Sequence, residues 1–280
     1  MPPEVLFALF SLVLLGLNDF LYKWGQRWDL RAGPFMLLQN LAYVPNALAL
    51  AWWRGDLAWA PGLLFGLLNG FLAFTAFLFL LLAMRRGEAV ALVPIVRLNF
   101  AVTAALTIAL LGEALTWAKG AGLALAALAI LAGGGGVIAS GGDRRALVLA
   151  VSAMCLFGLI GLFYKLALRF GALPAAITAA QGMGVTLAAV PFALWRRDPI
   201  PRRGPPLWVP LACGVLTSAS YVSLAVAFTH GEAVVVAPIA QLSFVLTGLL
   251  AAAFLGERLT PRKGAGVLFA ALAVALFAWG

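Results

Sequence analysis

The 280 residues are 64% hydrophobic and only 10% charged, with a mean hydropathy of +1.04 and a formal net charge of +9. A soluble domain is about 45–50% apolar and about 25% charged, so this chain lacks the polar surface to cover a water-soluble globule and reads as an integral membrane protein. The basic excess suits anionic lipid headgroups and does not indicate nucleic-acid binding.

A bilayer core about 30 Å thick needs about 20 apolar residues of helix. The chain supplies ten such spans: 5–24, 34–53, 62–83, 89–111, 118–139, 146–168, 174–195, 207–229, 233–255 and 262–279. The first follows MPPE, which has no basic residue, and it is too long for a signal-peptide core, so it reads as a retained helix. No span shows the dyad alternation of a membrane barrel, and helices satisfy their own backbone in lipid. The connections are short. The longest, RRDPIPRRGPP at 196–206, carries prolines that cannot continue a helix. Cys155 and Cys213 fall within spans 6 and 8 and read as small buried apolar residues.

The chain repeats itself. RRGEAVALVPIVRLNF at 85–100 returns as THGEAVVVAPIAQLSF at 229–244. A shift of 144 aligns 87–129 with 231–273 without a gap, with about 24 of those 43 positions identical. A shift of 142 aligns GLNDFLYKWGQR (16–27) with GLIGLFYKLALR (158–169) and Gln39 with Gln181. The halves, 1–139 and 140–280, each hold five spans. Five is odd, so the second half enters the membrane from the opposite side. Such inverted repeats are common in secondary transporters, where exchange of conformation between the halves turns a central site from one face to the other.

These segments carry a family resemblance. Each half has a GEA-x-x-x-x-P stretch and an LGE-x-LT-x-x-K-x-x-G stretch, and the chain resembles the EamA-type transporters of the drug/metabolite transporter superfamily over nearly its whole length. The resemblance implies ten helices around a central cavity, built largely from helices 1, 3, 4, 6, 8 and 9. It implies transport of amino acids, other small metabolites, nucleotide sugars or drugs, with export common among bacterial members.

Polar residues inside the spans mark candidate sites, because a mid-membrane charge costs about 2.5–3.5 kcal/mol. Arg97 lies nine residues into span 4, about 13 Å deep at about 1.5 Å per residue. Asp19, Asn18, Gln39 and Asn99 share its depth band. In the second half Asn18 becomes Ile160, Asp19 becomes Gly161, Arg97 becomes Gln241 and Asn99 becomes Ser243, whereas Tyr164, Lys165 and Gln181 keep their types. Residues that diverge between the halves are candidates to face a substrate, which lacks the two-fold symmetry. Arg97 therefore has two readings: a substrate or coupling group, or half of a structural ion pair with Asp19. In TSASYVS (217–223), Tyr221 can line a cavity while the hydroxyls bond their own or neighbouring backbone. Trp24, Phe71, Phe74, Phe77, Phe100 and Phe244 read as packing.

Pro94 and Pro238 are expected to kink spans 4 and 9 and are candidate gating bends. Glu88 and Glu232 open those spans, at the positive helix end. Glu113 and Glu257 close them, with Lys119 and Lys263 as candidate partners. His230 lies in a tight connection and reads as solvated. One His, no H-E-x-x-H and no G-x-x-x-x-G-K-[ST] leave no metal site, catalytic residue, cofactor or ATP site to assign. Hence the expectation is a non-enzymatic, multi-pass inner-membrane transporter of small polar metabolites, in the first place an amino-acid exporter, acting as a monomer or homodimer. A drug or lipid-headgroup exporter and a non-transporting scaffold or channel are the alternatives. Orientation is in conflict. Odd-numbered connections hold fourteen Lys and Arg and even-numbered ones four, which puts both termini outside; the resemblance implies the reverse.

Overall fold

The computed structural model describes residues 1–28, 32–84, 86, 89–133, 143–256 and 260–279. Its helices are α1 (Pro3–Gly25), α2 (Ala32–Arg54), α3 (Leu63–Met84), α4 (Ala89–Arg97), α5 (Asn99–Leu111), α6 (Trp117–Gly133), α7 (Arg144–Arg169), α8 (Pro174–Arg196), α9 (Pro205–His230), α10 (Ala233–Gln241), α11 (Ser243–Leu255) and α12 (Pro261–Trp279), with a short 3-10 turn at Gln26–Trp28. Among the described residues there is no strand. The pairs α4/α5 and α10/α11 are single crossings broken at Leu98 and Leu242, so twelve helices make ten crossings in two five-crossing halves. Seven crossings are long and apolar enough to span a bilayer by composition alone. α2 is equally long but diluted by Gln39, Asn40, Pro45 and Asn46. It packs between α8 and α9 of the other half, which take up its polar side chains.

Local chemistry sets the helix ends. Prolines occupy the first turn of α8 and α9, where a missing N–H costs nothing. Gly112 and Gly256, repeat partners, end α5 and α11 at φ of 72° and 70°, a left-handed conformation that glycine adopts without penalty. Asp56, on the α2–α3 connection, accepts the Ala175 N–H at the start of α8 at 3.0 Å while Arg54 pairs with it at 3.1 Å. Its repeat partner Asp198, beside Arg196, approaches Gly33 in the first turn of α2.

The two-fold relation is legible bond by bond. Thr103 donates to the Gly158 carbonyl at 2.8 Å, and its partner Thr247 donates to the Gly16 carbonyl at 3.1 Å. A Cβ at Gly70 would lie 2.5 Å from the Val185 nitrogen, and one at Gly214 2.9 Å from the Tyr43 nitrogen. Those glycines let α3 cross α8, and α9 cross α2, at backbone contact. Packing of this kind drives helix association where lipid removes the hydrophobic incentive.

Aromatic residues divide by position. Trp52, Trp53, Trp59, Trp117, Trp195, Trp208 and Trp279 are exposed near helix ends, as an interfacial belt requires. All four tyrosines instead lie buried or half-buried within the bundle. Cys213 is buried as expected, but Cys155 is exposed on the outer surface of α7, where the surrounding solvent is lipid.

Candidate functional site

The helix breaks lie at the centre of the protein. Leu98 (φ −72°, ψ 6°) and Leu242 (φ −74°, ψ 4°) share one conformation. The Leu98 N–H turns to the Ile95 carbonyl at 3.1 Å, and Leu242 to Ile239 at 3.1 Å, each one residue short of the α-helical partner. That partner would be the carbonyl of Pro94 or Pro238. The sequence places the kink at the prolines; the structure places the break four residues beyond each, where the tightened turn forms.

Arg97 is the last residue before the first break, and its guanidinium spans both halves. It pairs with Asp19 on α1, and its Nη1 donates to Ser243 Oγ at 3.0 Å and to the Gln241 carbonyl at 3.4 Å. Ser243 in turn donates to Asp19 at 3.4 Å. The Arg97 and Asp19 side chains stay 20% and 27% exposed although they lie mid-bundle. Beside them runs a polar chain: Gln39 donates to Thr217 at 3.1 Å, and Thr217 donates to Asn18 Oδ1 at 3.1 Å.

Of the sequence candidates, Arg97, Asp19, Ser243 and Gln241 meet directly, and Asn18 and Gln39 join through Thr217. Gln241 contributes its backbone carbonyl. Asn99 does not reach Arg97: its side chain is buried and donates to the Val96 carbonyl at 2.9 Å, bracing the break. Tyr221 belongs to a neighbouring cluster. Its ring stacks on Tyr164 at 6.1 Å and approaches Tyr43 at 6.5 Å, while Tyr164 donates to Gln181. Among the described residues, the buried Tyr43 hydroxyl has no hydrogen-bond partner of good geometry. The other hydroxyls of TSASYVS zip α9 to α1 and α2: Ser220 to Ser11 at 2.8 Å, Ser223 to the Phe7 carbonyl at 2.8 Å, and Ser218 from Asn46 at 2.7 Å.

The acidic residues of the repeat motif take roles the sequence did not reveal. Lys119 pairs with Glu232 at 2.6 Å, not with Glu113. Glu232 precedes α10 but makes no side-chain cap. Glu113 caps that helix instead, accepting the Ala233 and Val234 N–H groups at 2.8 and 3.0 Å, Thr107 at 2.8 Å and Lys165 at 3.3 Å. The readable signal was a carboxylate closing a helix, where the dipole disfavours it. Such a residue serves another element. Glu88 and Glu257 lie outside the described residues, as does the Lys263 side chain. His230 is exposed, as expected, and stacks on Phe7 at 5.9 Å. Beside Glu113 a cavity of about 590 Å³ opens at the face carrying the termini, lined by Lys165, Arg169, Phe228, Thr229 and Glu232.

Two inverted five-crossing halves, with a charged cluster where two broken crossings meet, define a multi-pass membrane transporter. The chain belongs to the EamA-like transporter family, whose model matches residues 2–132 and 144–279. No curated protein matches it. A solved structure described only as "Crystal structure of protein" has the same fold, with a TM-score of 0.81 at 14% identity over 98% of this chain and 95% of that one.

Proposed function

We propose that the protein is a secondary transporter that carries small polar metabolites across the inner membrane by alternating access, with amino-acid export as its activity. The observation that supports this is the Arg97 guanidinium, held at the two helix breaks by Asp19 of the first half and by Ser243 and the Gln241 carbonyl of the second, and only partly covered. A guanidinium offers a bidentate fork that fits a carboxylate. Asp19 occupies it here, and a substrate carboxylate competes for it or shares it. Asn18, Gln39, Thr217 and Ser243 supply neutral donors and acceptors around that point. Tyr221 with Tyr43 and Tyr164 supplies aromatic faces and phenol hydroxyls for the remainder of the substrate.

Counterflow in proteoliposomes tests this reading. Internal unlabelled amino acid should accelerate uptake of the labelled one, with saturation. A scaffold gives no uptake, and a channel gives no trans-stimulation. A thermal-shift screen of amino acids and metabolites identifies the substrate, because a ligand that binds only folded protein raises Tm. The basic connections favour a cytoplasmic location for the face opposite the termini. Labelling of a cysteine placed at Ile200 from the cytoplasmic side alone supports that orientation, and labelling from outside alone reverses it.

A further inference from the structure

The two halves match in most of their packing, and they differ in a few places: α8 packs on α9 with no comparable α2 on α3 among the described residues, and α10 stands out. α1 against α9 is mirrored by α7 against α3, α2 against α9 by α8 against α3, α1 against α11 by α7 against α5, and α1 against α10 by α7 against α4. α10, however, also packs on α5, and more lightly on α6 and α7. The mirror contacts, α4 on α11, α12 and α1, have no comparable counterpart among the described residues. Burial agrees. Ala237, Pro238 and Ile239 are buried, whereas their repeat partners Val93, Pro94 and Ile95 are only half-buried. α10 and α5 are the halves of crossings 9 and 4 nearer the termini face. These crossings are therefore drawn together there and stand apart toward the basic face.

One side chain fastens that contact. The Glu113 side chain, just beyond the end of α5, is 7% exposed, and its carboxylate takes the first two N–H groups of α10, the Thr107 hydroxyl and Lys165. A carboxylate is repelled by the end of its own helix and attracted by the start of another. Charge-assisted bonds to otherwise unpaired N–H groups are the strong kind. Lys119 of α6 and Glu232 before α10 add a second link between the same two halves. Directly inward, Lys165 lies over the Phe228 ring, and Phe228 approaches Tyr164. The 590 Å³ cavity lies on the outer side of this closure.

We infer that Glu113 is the latch of a gate at the termini face, holding α10 shut against α5, and that its release opens that face. The latch rests on the transport reading only for its purpose; its existence is tested without substrate. Ala237 is buried on α10 and serves as the reporter. In a Cys155→Ser, Cys213→Ser background, Ala237→Cys should react slowly with a membrane-impermeant maleimide applied at the termini face. Adding Glu113→Gln should speed that labelling about tenfold, since a gate shifts by the differential stabilisation its latch provides. Labelling at the unchanged rate, in protein that still melts cooperatively, overturns the latch. If Glu113→Gln does not fold, Lys119→Gln decides: faster labelling supports the gate and an unchanged rate overturns it. A labelling change without counterflow of any solute sinks the transport reading and leaves the gate standing.

Discussion

Arg97 and Ser243 are 146 positions apart in the chain and 3.0 Å apart in space. One ends the helix before the break in the first half, and the other begins the helix after the break in the second. The hydrogen bond therefore joins the two halves at the level where both crossings are interrupted. Any movement of one half against the other must carry this contact with it or break it.

Arg97→Gln copies the second repeat and separates the two roles open to Arg97. As a substrate group, its loss leaves folded protein with transport of carboxylate-bearing solutes reduced about ten- to a hundredfold, the scale of a lost charge-assisted bond. Arg97→Lys restores little, because a point charge does not reproduce the fork. As a structural partner only, its loss leaves Asp19 unpaired, at a cost of about 3–5 kcal/mol for a buried charge, less for a partly exposed one. Expression would then fall, and Arg97→Gln with Asp19→Asn would recover folding and transport together. Recovery of transport in that double variant removes Arg97 from the substrate site.

The prolines make a second test. Pro94→Ala and Pro238→Ala restore an N–H within α4 and α10 and favour a straight helix through Leu98 and Leu242. Transport should slow about tenfold if bending limits turnover, with expression and ligand-induced Tm shift nearly unchanged. Normal rates in both variants would leave the prolines as passive features of the repeat.

Much of this was written in the residues. Apolar runs of helical length marked the crossings, and the repeat marked their inversion. Arg97, Asp19 and Ser243 stood out because charge in lipid is costly and because their repeat partners differ. The position of Glu113 at a helix end hinted at a partner elsewhere, but the helix it caps was not legible. Its partners are backbone N–H groups of a helix 120 positions away, and backbone donors carry no side-chain signature. The chain suggested Lys119 as partner because it is near in sequence, whereas the fold brings Lys165 closer. Nor was the local bond of Asn99 legible: two positions from Arg97, it turns to the Val96 carbonyl across the break.

Gly161 stands where the first half has Asp19, and the structure gives a steric reason beside the functional one. A Cβ there would lie 2.5 Å from Thr103 Cγ2 and 2.6 Å from its hydroxyl. Gly161→Ala should lower stability by about 1–3 kcal/mol, the usual range for overpacking, read as a fall in Tm in detergent. Adding Thr103→Ala frees that space and should return part of the loss. Equal Tm values for Gly161→Ala and the parent protein would mean that α5 and α7 are packed more loosely than these distances require.

Asp56 offers the last test, of how one half is pinned to the other. Its carboxylate is buried, accepts the Ala175 N–H at the start of α8, and pairs with Arg54. Because Asp56 belongs to the first half and α8 to the second, the cap is also a tie between the repeats. Asp56→Ala removes the cap and the pair together. Loss of an N-terminal cap costs about 0.5–2 kcal/mol, so Tm should fall by several degrees. Asp56→Asn keeps an acceptor for the Ala175 N–H but loses the charge, and it should fall by less. The Arg54 side chain is about one-third exposed, so its half of the pair is hydrated and contributes little. Arg54→Gln should therefore barely move Tm. Thermal melts of the three variants in one detergent decide the order. If Arg54→Gln costs as much as Asp56→Ala, the ion pair and not the helix cap holds this corner of the protein.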